Sequence, residues 1–186
     1  MRPNMQRLRN LYLAHLSQPA ADRSVYRCIR KQNVRRIVEL GAGTLVRAAR
    51  MIEVAAAGVG AENVTYTGID LFESRSAADG PGVSLKLAHR QLLTTGARIR
   101  LLPGDPFTAL ARAANGLTET DVIVISADQD AASLARAWFY VPRMLHVQSQ
   151  VFVERRTSAG APCTLEAVSR TEIDAWAGVG TRRRAA

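Results

Sequence analysis

The chain has 186 residues, 47% of them hydrophobic, with 25 basic and 16 acidic residues that give a formal charge of +9. This length and apolar content predict one folded domain with an ample core, and they exclude a disordered or fibrous chain. The sequence contains no apolar run long enough to cross a membrane. We therefore expect no membrane partner and a cytoplasmic location.

Cysteine spacing and charge limit the possible partners. Cys28 and Cys163 lie far apart without metal-ligand spacing, which predicts two reduced thiols and no disulfide. The positive charge is compatible with a nucleic-acid partner, but the basic residues are scattered, apart from the run at residues 182–184. Because no aromatic residues interleave with a basic run, we favour a basic surface without a specific partner over RNA or DNA binding. The sequence leaves the oligomeric state open.

The predicted elements begin with two helices, over residues 5–16 and 21–31. We assign residues 1–33 to a pair of N-terminal helices that packs on the core. An apolar strand follows over Arg36–Leu40 and runs directly into a turn with two glycines.

This turn is the most informative stretch of the chain. Glu39 lies near the end of the strand, and Gly41 and Gly43 follow one residue apart. Glycine permits both a sharp change of direction and a close approach of the backbone to a ligand. The pattern is typical of the first strand and turn of an α/β nucleotide-binding domain.

A helix is predicted over residues 45–54, with Thr44 as its cap. Its apolar positions recur on one face, which is expected to pack on the sheet. Arg47 belongs to the opposite, polar face, together with Arg50 and Glu53, and is predicted to point away from the sheet.

The second strand, predicted over residues 64–69, ends at Asp70. A carboxylate at this position can accept hydrogen bonds from two ribose hydroxyls. Since no helix begins directly after Asp70, ligand contact is favoured over capping. Val46 stands where a dinucleotide-binding fingerprint needs glycine or alanine, so the match to that fingerprint is incomplete. The chain also lacks the Gly-Lys-Ser/Thr ending of a phosphate-binding loop, which disfavours a nucleoside triphosphate.

The rest of the chain alternates helices and strands. A loop rich in Gly, Ser, Asp and Pro, residues 73–82, is expected to contact ligands or to act as a lid. The pattern then predicts helices over residues 84–94, 107–114 and 131–141, strands over residues 98–102, 122–125 and 150–153, a surface turn at 157–162, an antiparallel edge strand at 163–168, a short helix at 171–177 and a flexible basic tail at 178–186.

This order predicts an α/β fold with a Rossmann-like, doubly wound and mostly parallel sheet of about five or six strands. Two helices precede the sheet, and the C-terminal end is trimmed. The main domain is expected to span residues 34–177.

Four stretches in this order resemble the motifs of class I S-adenosylmethionine-dependent methyltransferases. Residues 39–43 resemble the first motif, and residues 68–70 resemble the acidic end of the second strand. Gly104 and Asp105 resemble the adenine-side motif, and residues 121–128 resemble the fourth strand with its loop. The resemblance implies S-adenosylmethionine as the cofactor, with the methionine moiety near Glu39, Gly41 and Gly43, the ribose at Asp70 and the adenine at Asp105.

Three features depart from this family. Leu45 replaces the third glycine that is common in the first motif. Ser126 stands where metal-dependent O-methyltransferases have their first metal-binding carboxylate, so we expect no metal site. Finally, too little chain follows the fifth strand for the family's usual additional elements.

Several candidate site residues have a structural alternative. Asp105 precedes Pro106 and a predicted helix, so it could serve as an N-cap as well as contact adenine. Glu39 could bond to amides of the glycine turn rather than to the cofactor. Asp128 is the candidate catalytic, acceptor-side residue, although Asp128 or Asp130 could instead cap the next helix.

Glu154 is the second choice for the acceptor side. The sequence thus predicts an S-adenosylmethionine-dependent methyltransferase with an unknown acceptor. The alternative is a non-catalytic Rossmann-like module for binding or interaction, with nucleic acid as one conceivable partner. The trimmed C-terminus and Ser126 favour this alternative.

Overall fold

The computed structural model describes residues 3–156 and 162–182, and its centre is one six-stranded sheet. The strand order is β3-β2-β1-β4-β5-β6, in which β1 to β5 are parallel and β6 runs antiparallel to β5. The doubly wound α/β prediction, including the antiparallel edge strand, is confirmed. The strands are β1 (Arg36–Leu40), β2 (Thr65–Asp70), β3 (Arg98–Pro103), β4 (Thr120–Ile125), β5 (Leu145–Arg155) and β6 (Thr164–Val168).

Helices cover both faces of the sheet. The α-helices are α1 (Pro3–His15), α2 (Arg23–Gln32), α3 (Val46–Val59), α4 (Leu85–Leu93), α5 (Pro106–Ala113), α6 (Ala131–Ala137) and α7 (Arg170–Arg182). Short 3₁₀ turns lie at Ala20–Asp22, Ala61–Asn63, Phe72–Ser74, Ala77–Asp79 and Ala114–Gly116, and a longer 3₁₀ segment spans Trp138–Met144. None of the described helices is long and apolar enough to cross a membrane.

The central strand β4 shows how the two layers of core form. Val122 and Val124 pack with α1 to α4 on one face, whereas Ile123 and Ile125 pack with α5 to α7 on the other. Because successive side chains of a strand point to opposite faces, a strand covered on both sides needs a continuous apolar run.

The strand order places a topological switch point between β1 and β4. From β1 the chain passes outward to β2 and β3, and then returns to the other side of β1 to form β4 and β5. The amide of Gly41 donates to the carbonyl of Ile69 at 2.8 Å, and the amide of Ser126 donates to that of Leu40 at 2.9 Å. The ends of β1, β2 and β4 therefore meet at the edge where ligands bind in such sheets.

The predicted cap of α3 is wrong. The helix begins at Val46, and the capping position is Leu45, which has a left-handed φ of 67°. No described side chain caps this helix end. Leu45 is only 3% exposed, so burial of its side chain in the core offsets the cost of a conformation that leucine rarely adopts.

The C-terminal region also differs from the prediction. The helix predicted over residues 131–141 changes to 3₁₀ geometry at Trp138, since in an α-helix the ring of Pro142 would clash with the carbonyl four residues earlier. The helix predicted to end at residue 177 extends to Arg182, into the region assigned to a tail. Packing of its Trp176 on Trp138, with ring centroids 4.6 Å apart, outweighs the low helix propensity of glycine. Residues 157–161 and 183–186 lie outside the described residues.

Candidate functional site

The glycine turn and the end of β2 meet directly. Gly41 and Gly43 have positive φ angles of 88° and 51°, as a sharp turn with an inward-facing backbone requires. The amide of Gly43 donates to Oδ2 of Asp70 at 2.8 Å. Three of the predicted site residues therefore lie together at the switch point of the sheet.

Asp70 has four hydrogen bonds from its own chain. Besides Gly43, the amide of Phe72 donates to Oδ1 at 3.1 Å. Arg75 donates through Nε to Oδ1 at 2.6 Å and through Nη2 to Oδ2 at 2.8 Å. Burial by itself would raise the pKa of Asp70, but the hydrogen bonds from Arg75, Gly43 and Phe72 lower it below its usual value.

Arg75 connects Asp70 to the loop after β4. Its Nη1 lies 2.8 Å from Oδ2 of Asp128 and also bonds to the backbone oxygen of Asp79. The Arg75 side chain is only 7% exposed, and its hydrogen bonds to Asp70 raise the pKa of Arg75. Arg75 is not among the site residues that the sequence predicts. A basic residue five positions after Asp70, within the predicted ligand loop, was the available signal.

Asp105 and Asp130 act as helix caps. Asp105 accepts from the amide of Thr108 at 3.1 Å, with Pro106 in the first turn of α5, and its Oδ1 also accepts from the hydroxyl of Ser133. Asp130 accepts from the amide of Ser133 at 2.6 Å and caps α6. The capping alternatives for Asp105 and for Asp130 are confirmed, and adenine contact by Asp105 stays a prediction.

Asp128 has a different role from Asp130. Its side chain accepts from Arg75 and, at 2.8 Å, from Nε2 of Gln129, so it faces the end of β2. Asp70, Asp105, Asp128 and Asp130 all line one small cavity at the carboxyl edge of the sheet. The structure therefore brings the predicted ribose, adenine and acceptor-side carboxylates together.

Loops close tightly over this cavity, whose volume is about 40 Å³. Typical sites for small molecules measure about 300–1,000 Å³. The segment after β4 packs closely on the glycine turn, because a Cβ atom added at Gly41 would lie 2.4 Å from Nε2 of Gln129 and 2.7 Å from Cβ of Ser126. A much larger cavity, of about 590 Å³, lies between α1, α2 and α3 and includes none of the predicted site residues.

Glu39 lies beneath the turn and is fully buried, at 0% exposure. Its Oε1 accepts from Nε of Arg47 at 2.7 Å, and its Oε2 accepts from the hydroxyl of Tyr66 at 2.5 Å. Burial raises the pKa of Glu39, and Arg47 and Tyr66 act in the opposite direction. Its partners are therefore side chains rather than amides of the glycine turn, and the buried carboxylate has no surface for a ligand in this conformation.

Arg47 corrects a prediction from helical periodicity. The sequence pattern places it on the outward face of α3, but its side chain is only 13% exposed. Besides Glu39, its Nη1 lies 3.6 Å from Asp22 and 3.6 Å from Glu154. The prediction fails because a buried carboxylate at the end of β1 requires a cation, and Arg47 is positioned to supply it.

Ser126 joins this buried group to the glycine turn. Its hydroxyl accepts from Arg47 and donates to the carbonyl of Gly41 at 3.0 Å. A guanidinium therefore lies beside the position at which the metal-dependent family has a carboxylate. Within residues 3–156 and 162–182, no group of three or more His, Cys, Asp or Glu side chains is arranged to hold a metal ion.

Comparisons with known proteins identify the fold. No protein-family profile and no curated protein matches the sequence. The structure is similar to an O-methyltransferase family protein from Burkholderia thailandensis, with a TM-score of 0.54 and 15% identity, over 95% of this chain and 55% of that one. It is also similar to cofactor-bound Rv0187 from MTB, with a TM-score of 0.50 and 13% identity, over 98% of this chain and 77% of that one.

These similarities show the fold of class I S-adenosylmethionine-dependent methyltransferases, as the motifs predicted, without a specific subfamily. The chain spans about half the length of the O-methyltransferase family protein.

Proposed function

We propose that this protein binds S-adenosylmethionine at the carboxyl ends of β1 and β2 and transfers its methyl group to an acceptor that is still to be identified. The proposal depends on one observation, the 2.8 Å hydrogen bond from the Gly43 amide to Asp70. It joins the glycine turn to the acidic end of β2 within a methyltransferase fold. The similar solved structures support the proposal through the fold.

The polar groups at this edge of the sheet suit the cofactor. Asp70 would accept the two ribose hydroxyls, the backbone of Gly41 and Gly43 would lie against the methionine moiety, and Asp105 would contact the adenine. The cofactor supplies a methyl group on a positively charged sulfur. The cofactor also needs more space than the closed cavity offers, and Arg75 is one of the side chains that line this cavity.

Methyl transfer mainly requires that acceptor and methyl group are held in line, with a base only where the acceptor must lose a proton. Asp128 is the proposed residue for this task, because it lines the same cavity as Asp70. While Arg75 holds Oδ2 of Asp128, that oxygen is not available to an acceptor. Glu154, the second choice, instead accepts from the amide of Ala127 at 3.1 Å and lies 3.6 Å from Arg47.

Calorimetric titration with S-adenosylmethionine and S-adenosylhomocysteine tests the proposal. We expect a micromolar Kd, which corresponds to about 8 kcal/mol, and at least tenfold weaker binding by the Asp70→Asn variant. Asp174→Asn is the matched control, because Asp174 is exposed on α7 and forms its ion pair with the exposed Arg170, far from β1 and β2 in the sequence. Equal affinity of the Asp70→Asn variant and the wild type, with both folded by circular dichroism, would contradict the proposed site.

A non-catalytic binding module is the second candidate. The cavity of about 40 Å³ and the four hydrogen bonds already made by Asp70 favour it. Under this alternative, neither ligand binds even after Arg75 is shortened. The same titrations on an Arg75→Gln variant therefore separate the two candidates.

Nucleic acid as a partner rests on the distribution of charge. Residues 1–33 contain seven basic residues and one acidic residue, so they contribute +6 of the total charge of +9. Fluorescence anisotropy with a single-stranded RNA at rising salt checks this partner, since phosphate contacts weaken steeply with ionic strength. A cytoplasmic location likewise remains part of the proposal.

A further inference from the structure

Asp70 has no acceptor capacity left for a ribose. An ionised carboxylate offers about four lone-pair sites. Two of them are used by the amides of Gly43 and Phe72, and two by Arg75. A ribose diol donates two hydrogen bonds, so it can bind in this way only if two of these four bonds are released.

Arg75 is the donor that can leave at the lowest cost. The Gly43 and Phe72 amides belong to the backbone of turns directly after β1 and β2, and their removal would require those turns to rearrange. Arg75 instead reaches Asp70 through a side chain, from a loop between the 3₁₀ turns Phe72–Ser74 and Ala77–Asp79. A side chain on such a loop can swing away while the hydrogen bonds of the sheet stay intact.

The guanidinium also resembles the ribose in how it binds. Its Nε and Nη2 bond to separate oxygens of Asp70, at 2.6 and 2.8 Å, so it presents two parallel donors as two neighbouring hydroxyls would. Its aliphatic part lies against the loop backbone, since a Cβ atom added at Gly82 would be 2.5 Å from Cδ of Arg75. Arg75 therefore makes the two hydrogen bonds to Asp70 that the ribose is predicted to make, and it lies where the ribose is predicted to bind.

We propose that Arg75 is a gate of the cofactor site: its guanidinium competes with the ribose for Asp70, and the cofactor binds only when Arg75 has left. This inference rests on the function proposed above. The same movement frees the Oδ2 atom of Asp128, which Arg75 holds at 2.8 Å. Opening of the gate thus prepares the cofactor side and the acceptor side together.

A gate of this kind lowers the apparent affinity. When only a fraction of the molecules is open, the measured Kd equals the intrinsic Kd divided by that fraction. If about one molecule in ten is open, removal of the gate improves the affinity roughly tenfold. The affinity improves because the competitor for Asp70 is gone, and no new contact with the cofactor is needed.

Calorimetric titration of the wild type, Arg75→Gln and Arg75→Lys with S-adenosylhomocysteine and S-adenosylmethionine tests the gate. We expect Arg75→Gln to bind both ligands about tenfold more tightly than the wild type. Arg75→Lys keeps the charge but loses the two parallel donors, and should therefore gain affinity as well. Arg90→Gln removes the same charge from an exposed position on α4 and should leave both affinities unchanged.

The comparison of the two ligands separates gating from simple charge repulsion. S-adenosylmethionine has a positively charged sulfur, whereas the sulfur of S-adenosylhomocysteine is neutral. Equal gains for both ligands support the gate, and a gain limited to S-adenosylmethionine would overturn it. Equal or weaker binding of both ligands by Arg75→Gln would also overturn the gate, while leaving the proposed function in place. Absence of binding by the folded wild type and by both folded Arg75 variants would overturn both proposals.

Discussion

Two arginines lie near the same glycine turn, and each is bound to carboxylates. Arg47 belongs to α3 and contacts Glu39 on β1. Arg75 belongs to a loop and contacts Asp70 on β2 and, across the cavity, Asp128. The two groups use similar chemistry, but they differ in which elements hold the arginine.

This difference separates a structural ion pair from a removable one. Arg47 belongs to a regular helix and contacts a carboxylate that is completely buried, so its loss would leave a buried negative charge without its cation. Arg75 borders the cavity, and without it Asp70 retains the amides of Gly43 and Phe72. We therefore expect stability to depend on Arg47 and ligand binding to depend on Arg75.

The largest expected effect is that of Arg47→Met on stability. Removal of one partner from a buried ion pair leaves the charge of Glu39 uncompensated, and this typically costs about 3–5 kcal/mol. Urea denaturation measures the change. The double variant Arg47→Met with Glu39→Gln should recover part of the loss, because the buried charge is then removed as well. If the single variant loses less than about 1 kcal/mol of unfolding free energy, the ion pair of Arg47 with Glu39 does not stabilise the fold as proposed.

Tyr66→Phe should have an intermediate effect. It removes the 2.5 Å hydrogen bond to Glu39 and leaves one oxygen of a buried carboxylate without that donor, at a cost of about 1–3 kcal/mol. Tyr12→Phe is the control, because Tyr12 is 51% exposed on α1. Equal unfolding midpoints in urea for the two variants would show that the bond to Glu39 contributes nothing.

Arg75→Gln should lower stability by about 1–3 kcal/mol, less than Arg47→Met does, because Asp70 keeps two backbone donors. The same urea titrations measure it beside Arg47→Met. A loss of stability as large as that of Arg47→Met would show that Arg75 also stabilises the fold, so the two arginines would not differ in role.

The smallest effect concerns Asp22, a buried neighbour of Arg47. Burial raises the pKa of Asp22, Arg47 and Tyr26 lower it, and its Oδ1 has no hydrogen-bond partner among the described residues. Because the folded state holds this proton more tightly, ionisation of Asp22 reduces stability as pH rises from about 4, the usual aspartate value, through the raised pKa.

Asp22→Asn should lack this decline, so its Tm relative to the wild type should rise by a few degrees as pH increases above about 4. Thermal unfolding followed by circular dichroism at several pH values between 4 and 7 measures the difference. A difference that does not change with pH would contradict the raised pKa.

Local sequence patterns were sufficient for the sheet and for the meeting of Gly43 with Asp70. Strands of a parallel sheet end at one edge, so a carboxylate that closes β2 comes close to the turn that follows β1. The alternative of Asp105 as a helix cap was also readable, since Pro106 marks the start of a helix.

The remaining contacts depend on partners that are distant in sequence. Periodicity assigned Arg47 to the outer face of α3 because it considers only that helix, whereas Glu39 contributes from the preceding strand. An acidic residue within a buried strand was the usable signal, since such a group requires a cation nearby. Leu45 took a left-handed conformation that propensity assigns to glycine, because the core holds its side chain. Arg75 lies in a loop, where no period applies.

A crystal structure of the complex with S-adenosylhomocysteine would show whether the ribose displaces Arg75 from Asp70. The quantities to measure are the distances from the Asp70 oxygens to the ribose hydroxyls and to the Arg75 guanidinium. We expect both hydroxyls within hydrogen-bond distance of Asp70, with Arg75 moved away from it. A ligand bound elsewhere would contradict the proposed cofactor site, and a ligand bound at this edge with the pair of Asp70 and Arg75 intact would contradict the gate.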